Sequence, residues 1–262
     1  MKTIIVRASI LALAILCLCS CTTPPKTEKE SAPKKSETTF QMASINLANL
    51  SKRIERINII ELKKILKSEQ VEILAVQGIS RFPGIPARID FVNELSAKTD
   101  WYCVFGEMLN ISGRQTGNAI FSMYPILSHQ NFSLDKVIST SFEAALQATV
   151  DLGVCSLTFV STQLPPKATT NEQTQCLKLI AAMNPDTTNQ HTIVSGNLPA
   201  EEIIRKKNSF SEIPSFESTK STISKIWYTT GGSLQLLTSR SVETELGTLV
   251  IAQFVLSNQQ KH

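Results

Sequence analysis

The sequence is short of net charge, of histidine and of patterned cysteine, and each shortage excludes something. Lys and Arg number 26 against 22 Asp and Glu, a net charge of +4. So small an excess predicts no particular affinity for nucleic acid or an anionic surface. Three histidines are present. His129 reads as lying in a loop, His191 at a strand start and His262 at the terminus, and none marks an acid–base or metal site. Three of the six cysteines fall before residue 22. The other three, Cys103, Cys155 and Cys176, lack the paired spacing of a metal site. They read as small buried hydrophobes, with one disulfide as the alternative, and their odd number leaves at least one free thiol. There is no short-period repeat, and no apolar run beyond the first 21 residues is long enough to cross a bilayer.

What is present starts with the N-terminus. Lys2 and Arg7 precede the apolar run Ala8–Leu18, which is too short for a membrane span but suits the core of a secretory signal. Leu18-Cys19-Ser20-Cys21 follows, and a leucine three residues before a cysteine resembles the bacterial lipobox. That resemblance implies cleavage before Cys21, its modification by diacylglycerol, and membrane lipid as a partner through Cys21. Thr22 as the next residue implies, by the same resemblance, sorting to the outer membrane of the cell envelope. Loss of Lys2 and Arg7 would leave 24 basic against 22 acidic residues, or +2. Residues 22–39 contain no large apolar side chain and three prolines, so they read as an unstructured tether. The expected organisation is therefore signal 1–21, tether 22–39 and one domain over 40–262, whose 223 residues can bury a sizeable core.

Within that domain helical and strand patterns alternate. Leu50–Lys67 has helical spacing, with Ile54, Ile57, Leu62, Ile65 and Leu66 on one stripe and Arg53, Arg56, Lys63, Lys64 and Lys67 largely off it, as on a solvated face. Ala87–Ala97 and Thr170–Met183 read as further helices. Strands are expected at Phe40–Ile45, Glu72–Gln77, Trp101–Phe105, Asn118–Ser122, Ala144–Asp151, Ser156–Ser161, Thr192–Val194 and Leu249–Leu256. Gly231-Gly232 suggests a hairpin turn. The pattern suits a layered α/β domain with packed sheets between helices.

Six short strings follow one another in a telling order: Ser44-Ile45-Asn46, Ile73-Leu74-Ala75-Val76-Gln77-Gly78, Gly117-Asn118-Ala119-Ile120-Phe121-Ser122-Met123-Tyr124-Pro125-Ile126, Phe159-Val160-Ser161-Thr162-Gln163-Leu164, Gly196-Asn197-Leu198-Pro199, and Ser257-Asn258-Gln259. In this order they resemble the motifs of the endonuclease/exonuclease/phosphatase family, metal-dependent phosphodiesterases and phosphatases. The resemblance implies a four-layer α/β/β/α sandwich. It also implies a site at Asn46, Gly78, Asn118, Gln163, Asn197, Pro199, Asn258 and Gln259.

The residues at those positions depart from the family. Its chief metal-ligating glutamate corresponds to Gly78, its Gly-Asp loop carboxylate to Asn197, and its following asparagine to Pro199. The histidine of its Thr-His strand corresponds to Gln163, and its closing acidic-histidine pair to Asn258-Gln259. Hard divalent cations such as magnesium or manganese require anionic oxygen ligands, and phosphate ester hydrolysis is too slow without such assistance. The expectation is thus a non-catalytic binding or scaffolding domain without catalytic residues, metal or cofactor, serving an unidentified envelope or extracellular partner. The alternative is a divergent magnesium- or manganese-dependent phosphodiesterase, nuclease or phosphatase with substitute ligands from Glu107, Asp135, Glu143 or Glu172. A third possibility, cysteine-based chemistry, has no Cys-His signature behind it.

Overall fold

The computed structural model describes residues 37–48, 54–82, 88–97, 100–134, 144–164, 191–197, 210–214, 224–230 and 232–257, with isolated positions 169, 171, 172 and 175. The order of elements is β1 (Glu37–Asn46), α1 (Arg56–Ser68), β2 (Ile73–Arg81), α2 (Phe91–Ser96), β3 (Tyr102–Ile111), β4 (Arg114–Ser122), β5 (Ile126–Ser133), β6 (Ala144–Asp151), β7 (Ser156–Gln163), β8 (Thr192–Asn197), β9 (Phe210–Glu212), β10 (Lys225–Thr229), β11 (Leu234–Thr244) and β12 (Gly247–Ser257).

These strands form two six-stranded sheets, ordered β11-β12-β1-β2-β4-β3 and β5-β6-β7-β8-β10-β9. Each sheet is antiparallel except for one parallel pair, β1 with β2 in the first and β7 with β8 in the second. The parallel pair aligns Asn46 with Gln77 in one sheet and Gln163 with Asn197 in the other. A parallel connection needs a crossover, and α1 supplies it between β1 and β2.

Helix α1 forms because Ile59, Leu62 and Leu66 recur on one buried face. Asn58 Oδ1 accepts from the Glu55 N–H at 2.9 Å at its start. Its end is a Schellman turn: the Val71 N–H reaches the Leu66 carbonyl at 2.9 Å and the Gln70 N–H that of Lys67 at 3.1 Å. Gln70 takes the left-handed conformation this requires, with φ of 51°. In α2, Asp90 Oδ1 accepts from the Asn93 N–H at 3.1 Å as the N-cap.

Period-two alternation sorts the strand residues onto two faces. Ala43, Ile45, Leu74, Val76, Ala119, Phe121, Leu249 and Ile251 face α1 and α2, where they meet Ile59, Leu62, Leu66, Phe91 and Leu95. The other parity faces the second sheet. There Phe40, Met42, Ile73, Ile120 and Phe254 pack with Leu146, Ala148, Phe159 and Ile193. Phe40 stacks on Phe254 at 5.6 Å and meets Phe159 edge-on at 6.1 Å.

The two packed sheets agree with the expected sandwich, whereas the helical cover is sparser than the four-layer scheme. Among the described residues α1 and α2 cover the first sheet. The helix expected over 170–183 lies outside the described residues except for helical positions 171, 172 and 175. Strand β1 begins at Glu37, not Phe40, so Glu37–Thr39 are not tether: they continue the ladder opposite Val255–Ser257. Gly231-Gly232 does not close a hairpin. It lies between β10 and β11, which belong to different sheets. His129 sits exposed on β5 instead of in a loop. Cys21, and with it the signal and tether up to Ser36, lies outside the described residues.

Candidate functional site

Following the inter-sheet face along the parallel strands, side chains change from apolar to polar. On β1 the succession is Phe40, Met42, Ser44, Asn46; on β7 it is Leu157, Phe159, Ser161, Gln163; on β8 it is Ile193, Ser195, Asn197. The polar ends of both sheets meet. Gln77 is the hub: its Nε2 donates to Ser161 Oγ at 3.0 Å across the sheets and to Ser44 Oγ at 3.2 Å. Its Oε1 accepts from Ser224 Oγ at 3.1 Å, and Ser224 lies 2.5 Å from Ser44. Ser161 Oγ in turn donates to the Val76 carbonyl at 3.3 Å. Every member is buried. Such a network costs little when each group is paired and much when one is not.

A second bridge runs through Asn118. Its Nδ2 donates to the Ala144 carbonyl at 2.9 Å, and Thr162 Oγ1 donates to the same carbonyl at 3.2 Å. Asn118 Oδ1 accepts from the Gly78 N–H at 3.3 Å. This bond marks a β-bulge, where Gln77 and Gly78 together oppose Asn118 in the β2–β4 ladder. Gly78 has φ of +68°, and a Cβ there would lie 2.5 Å from both Cα and Cβ of Ala48. The position admits no side chain without moving Ala48, two residues past the end of β1. Gly196 is required for a different reason: a Cβ would lie 1.6 Å from the Thr162 carbonyl oxygen of the neighbouring parallel strand.

The structure therefore brings Asn46, Gly78, Asn118, Gln163 and Asn197 to the polar end, while Pro199, Asn258 and Gln259 lie outside the described residues. Asn46 Oδ1 accepts from the Ala48 N–H at 3.0 Å. Asn197 Nδ2 donates to the Leu164 carbonyl at 3.2 Å, and the Leu164 N–H donates back to the Asn197 carbonyl. Two buried atoms here have no partner: Asn46 Nδ2 and Gln163 Oε1. An unsatisfied buried polar atom costs about 1–3 kcal/mol. Two further unpaired buried atoms among the described residues, Trp227 Nε1 and Glu212 Oε2, belong to residues directly opposite in the β9–β10 ladder.

Among the described residues the donor set at this end is neutral amide and hydroxyl oxygen, which does not fit a hard divalent cation. Among the described residues no three of His, Cys, Asp and Glu converge on one point. Glu107 is exposed and accepts from Asn110 at 3.3 Å; Glu172 is partly exposed and accepts from the Thr169 hydroxyl at 2.8 Å. Asp135 and Glu143 lie outside the described residues. His191 is half-buried, with Nε2 2.9 Å from Ser233 Oγ, and burial lowers its pKa. His262 and Cys176 lie outside the described residues. Cys103 and Cys155 are free thiols. Burial pushes Cys103 up to about 12 and raises Cys155, so neither is a thiolate at neutral pH.

Sequence reasoning missed the serines. Ser44, Ser161, Ser195 and Ser224 belong to no motif ligand, yet their even spacing from Phe40, Phe159, Ile193 and Ile226 places them on the inner face. A separate cleft of about 860 Å³ opens at the other end, between α1 and the start of β1, with Lys67, Glu72, Trp101 and Gln253 among its lining.

No family model matches the sequence, and no curated protein does. Solved structures do. An endonuclease/exonuclease/phosphatase family protein from Leptotrichia buccalis superposes with a TM-score of 0.61 at 13% identity, over 82% of this chain and 99% of that one. The family's protein from Bacteroides vulgatus gives 0.63 at 11% identity, over 84% and 100%. The human Nocturnin catalytic domain with bound sulfate gives 0.62 at 14%, over 82% and 94%. Identities this low speak to the arrangement of strands and not to the chemistry. Two mixed six-stranded sheets in this order, with these neighbours across more than four-fifths of the chain, give the protein the fold of the endonuclease/exonuclease/phosphatase family.

Proposed function

We propose that this chain is a lipid-anchored protein of the bacterial cell envelope whose domain does not hydrolyse phosphate esters but acts as a binding or scaffolding module. The observation that carries the reading is Gly78. At the position where the resemblance calls for a metal-ligating glutamate, the backbone is left-handed and Ala48 occupies the space of a side chain. One nearby carboxylate could replace a lost ligand by a point change; a bulge filled by the neighbouring strand end could not. Asn197 and Gln163, both uncharged, support the same reading, as does the neutral hydroxyl network behind them. Removing carboxylates from a site without a metal also avoids burying unpaired charge. The anchor rests on Leu18–Cys21 and the apolar run before it.

The test uses the full chain in detergent, titrated with magnesium and manganese by calorimetry and assayed on a bis-aryl phosphodiester and on plasmid DNA. No heat of site-specific metal binding and no turnover above a buffer control are expected. Metal-dependent turnover removed by Glu107→Gln or Glu172→Gln would overturn the reading in favour of a divergent phosphoesterase. For the anchor, Cys21→Ser should move the protein from the membrane to the soluble fraction; unchanged membrane retention would refute it.

A further inference from the structure

We infer that the edge strand β5 is a pairing surface for a second copy of this chain, joined antiparallel along Ser128–Ser133 about a two-fold axis. The inference does not depend on the non-catalytic reading. Among the described residues the two sheets end in four edge strands, β11 and β3 in the first, β5 and β9 in the second. An open edge presents unpaired N–H and C=O groups, and proteins guard it with charge, a bulge or a very short strand. Strand β9 is three residues long and carries Glu212. Strand β11 carries Arg240 and Glu243 and shifts register between Leu236 and Thr238. Strand β3 carries Glu107, where its own ladder shifts before Leu109. Strand β5 has none of these guards along Ser128–Ser133. Its register shift comes earlier, between Ile126 and Ser128, and the strand contains no Lys, Arg, Asp, Glu or Pro.

The stretch is open and regular. Ser128, His129, Gln130, Asn131 and Ser133 are exposed, so residues of both parities reach solvent. The ladder to β6 runs without a break from Ser128 opposite Thr149 to Ser133 opposite Ala144. In an antiparallel pair every second residue turns its backbone groups away from its neighbour. Ser128–Ser133 therefore offers an even row of donors and acceptors on its open side. The strand is also held in place, because Asn131 Nδ2 donates to the Glu107 carbonyl on the other sheet at 2.7 Å. Little ordering is left to be done on binding. Such a row is matched by another extended strand. A second β5 fits because pairing about a two-fold axis sets the same neutral residues against each other, with no like lysines, arginines or carboxylates opposed. A charged peptide would find no ion pair there.

The test is sedimentation of the full chain in detergent, with micelles in excess, from about 1 µM to about 500 µM protein. A monomer–dimer equilibrium is expected. It should be weak, in the micromolar range or above, because a paired stretch about 20 Å long makes a small interface. Gln130→Lys sets like charges across the axis and should weaken the dimer roughly tenfold. Its melting temperature should not change, because Gln130 is exposed. An equimolar mixture of Gln130→Lys and Gln130→Glu chains should pair again. Gln235→Lys, at an exposed position on the guarded edge β11, should leave the dimer as it is. Three outcomes overturn the inference: a monomer at every concentration, a dimer indifferent to Gln130→Lys, or a dimer weakened equally by Gln235→Lys.

Discussion

The layer between the two sheets has two ends built on opposite principles. At one, Phe40, Phe159, Phe254, Ile73 and Ile193 interlock, and stability comes from apolar area removed from water. At the other, Ser44, Gln77, Ser161, Ser224, Asn118 and Thr162 are just as buried but held by directed hydrogen bonds. Net gain per such bond is small, so the polar end adds little stability over an apolar one. What it adds is geometry: each amide has one orientation, and two sheets are locked in register.

Breaking the apolar end should have the largest effect. Phe159→Ala should cost roughly 3–5 kcal/mol, read as the shift in urea midpoint, through lost burial and the cavity left behind. Next comes Gly78→Glu, which asks a side chain to occupy the place of Ala48 at positive φ. A loss of about 2–4 kcal/mol is expected from the two strains together, with no gain of magnesium binding. Ala48→Gly in the same chain should recover part of that loss. If Gly78→Glu is tolerated and binds metal, the two ends differ less than the bulge suggests. Gln77→Leu keeps the volume and removes the hub of the network; denaturant unfolding should show a loss of about 1–3 kcal/mol as Ser161 and Ser224 lose partners.

The smallest effect expected is electrostatic, at the apolar end. His191 is held neutral by burial, so its folded pKa lies below the unfolded one. The stability it contributes is present above pH ~6.5 and is lost as pH falls toward the lowered folded value. Melting curves between pH 8 and pH 5 should therefore show a steeper acid loss in the native chain than in His191→Gln. Equal slopes would mean that the half-exposed ring titrates as it does in water.

Much of the frame was legible. Alternation along Phe40–Ile45, Ala144–Asp151 and Ser156–Ser161 marks strands because one face must be apolar, and the order of motif strings follows the order of strands. Strand β5 was not legible, since Ile126–Ser133 is an edge strand, mostly exposed, with no burial to impose a pattern. Strand β11 escaped for the same reason. Of the site, the identities were readable and the contacts were not. Ser44 and Ser224 are 180 residues apart, and nothing local announces that they touch.

What the sequence determined by itself is therefore the neutral character of the described residues at the polar end. Asparagine, glutamine, glycine and serine stand at their positions however the chain folds, and none carries a charge. Only the tertiary structure decided that Gly78 is a closed position and not an empty one. Its conformation accompanies a bulge against Asn118, and its free space is taken by Ala48, two residues past the end of β1, contacts that exist only once distant strands have paired. The same holds for the two unpaired atoms of Asn46 and Gln163. Their polarity is a property of the residues, but their lack of partners is a property of the packing.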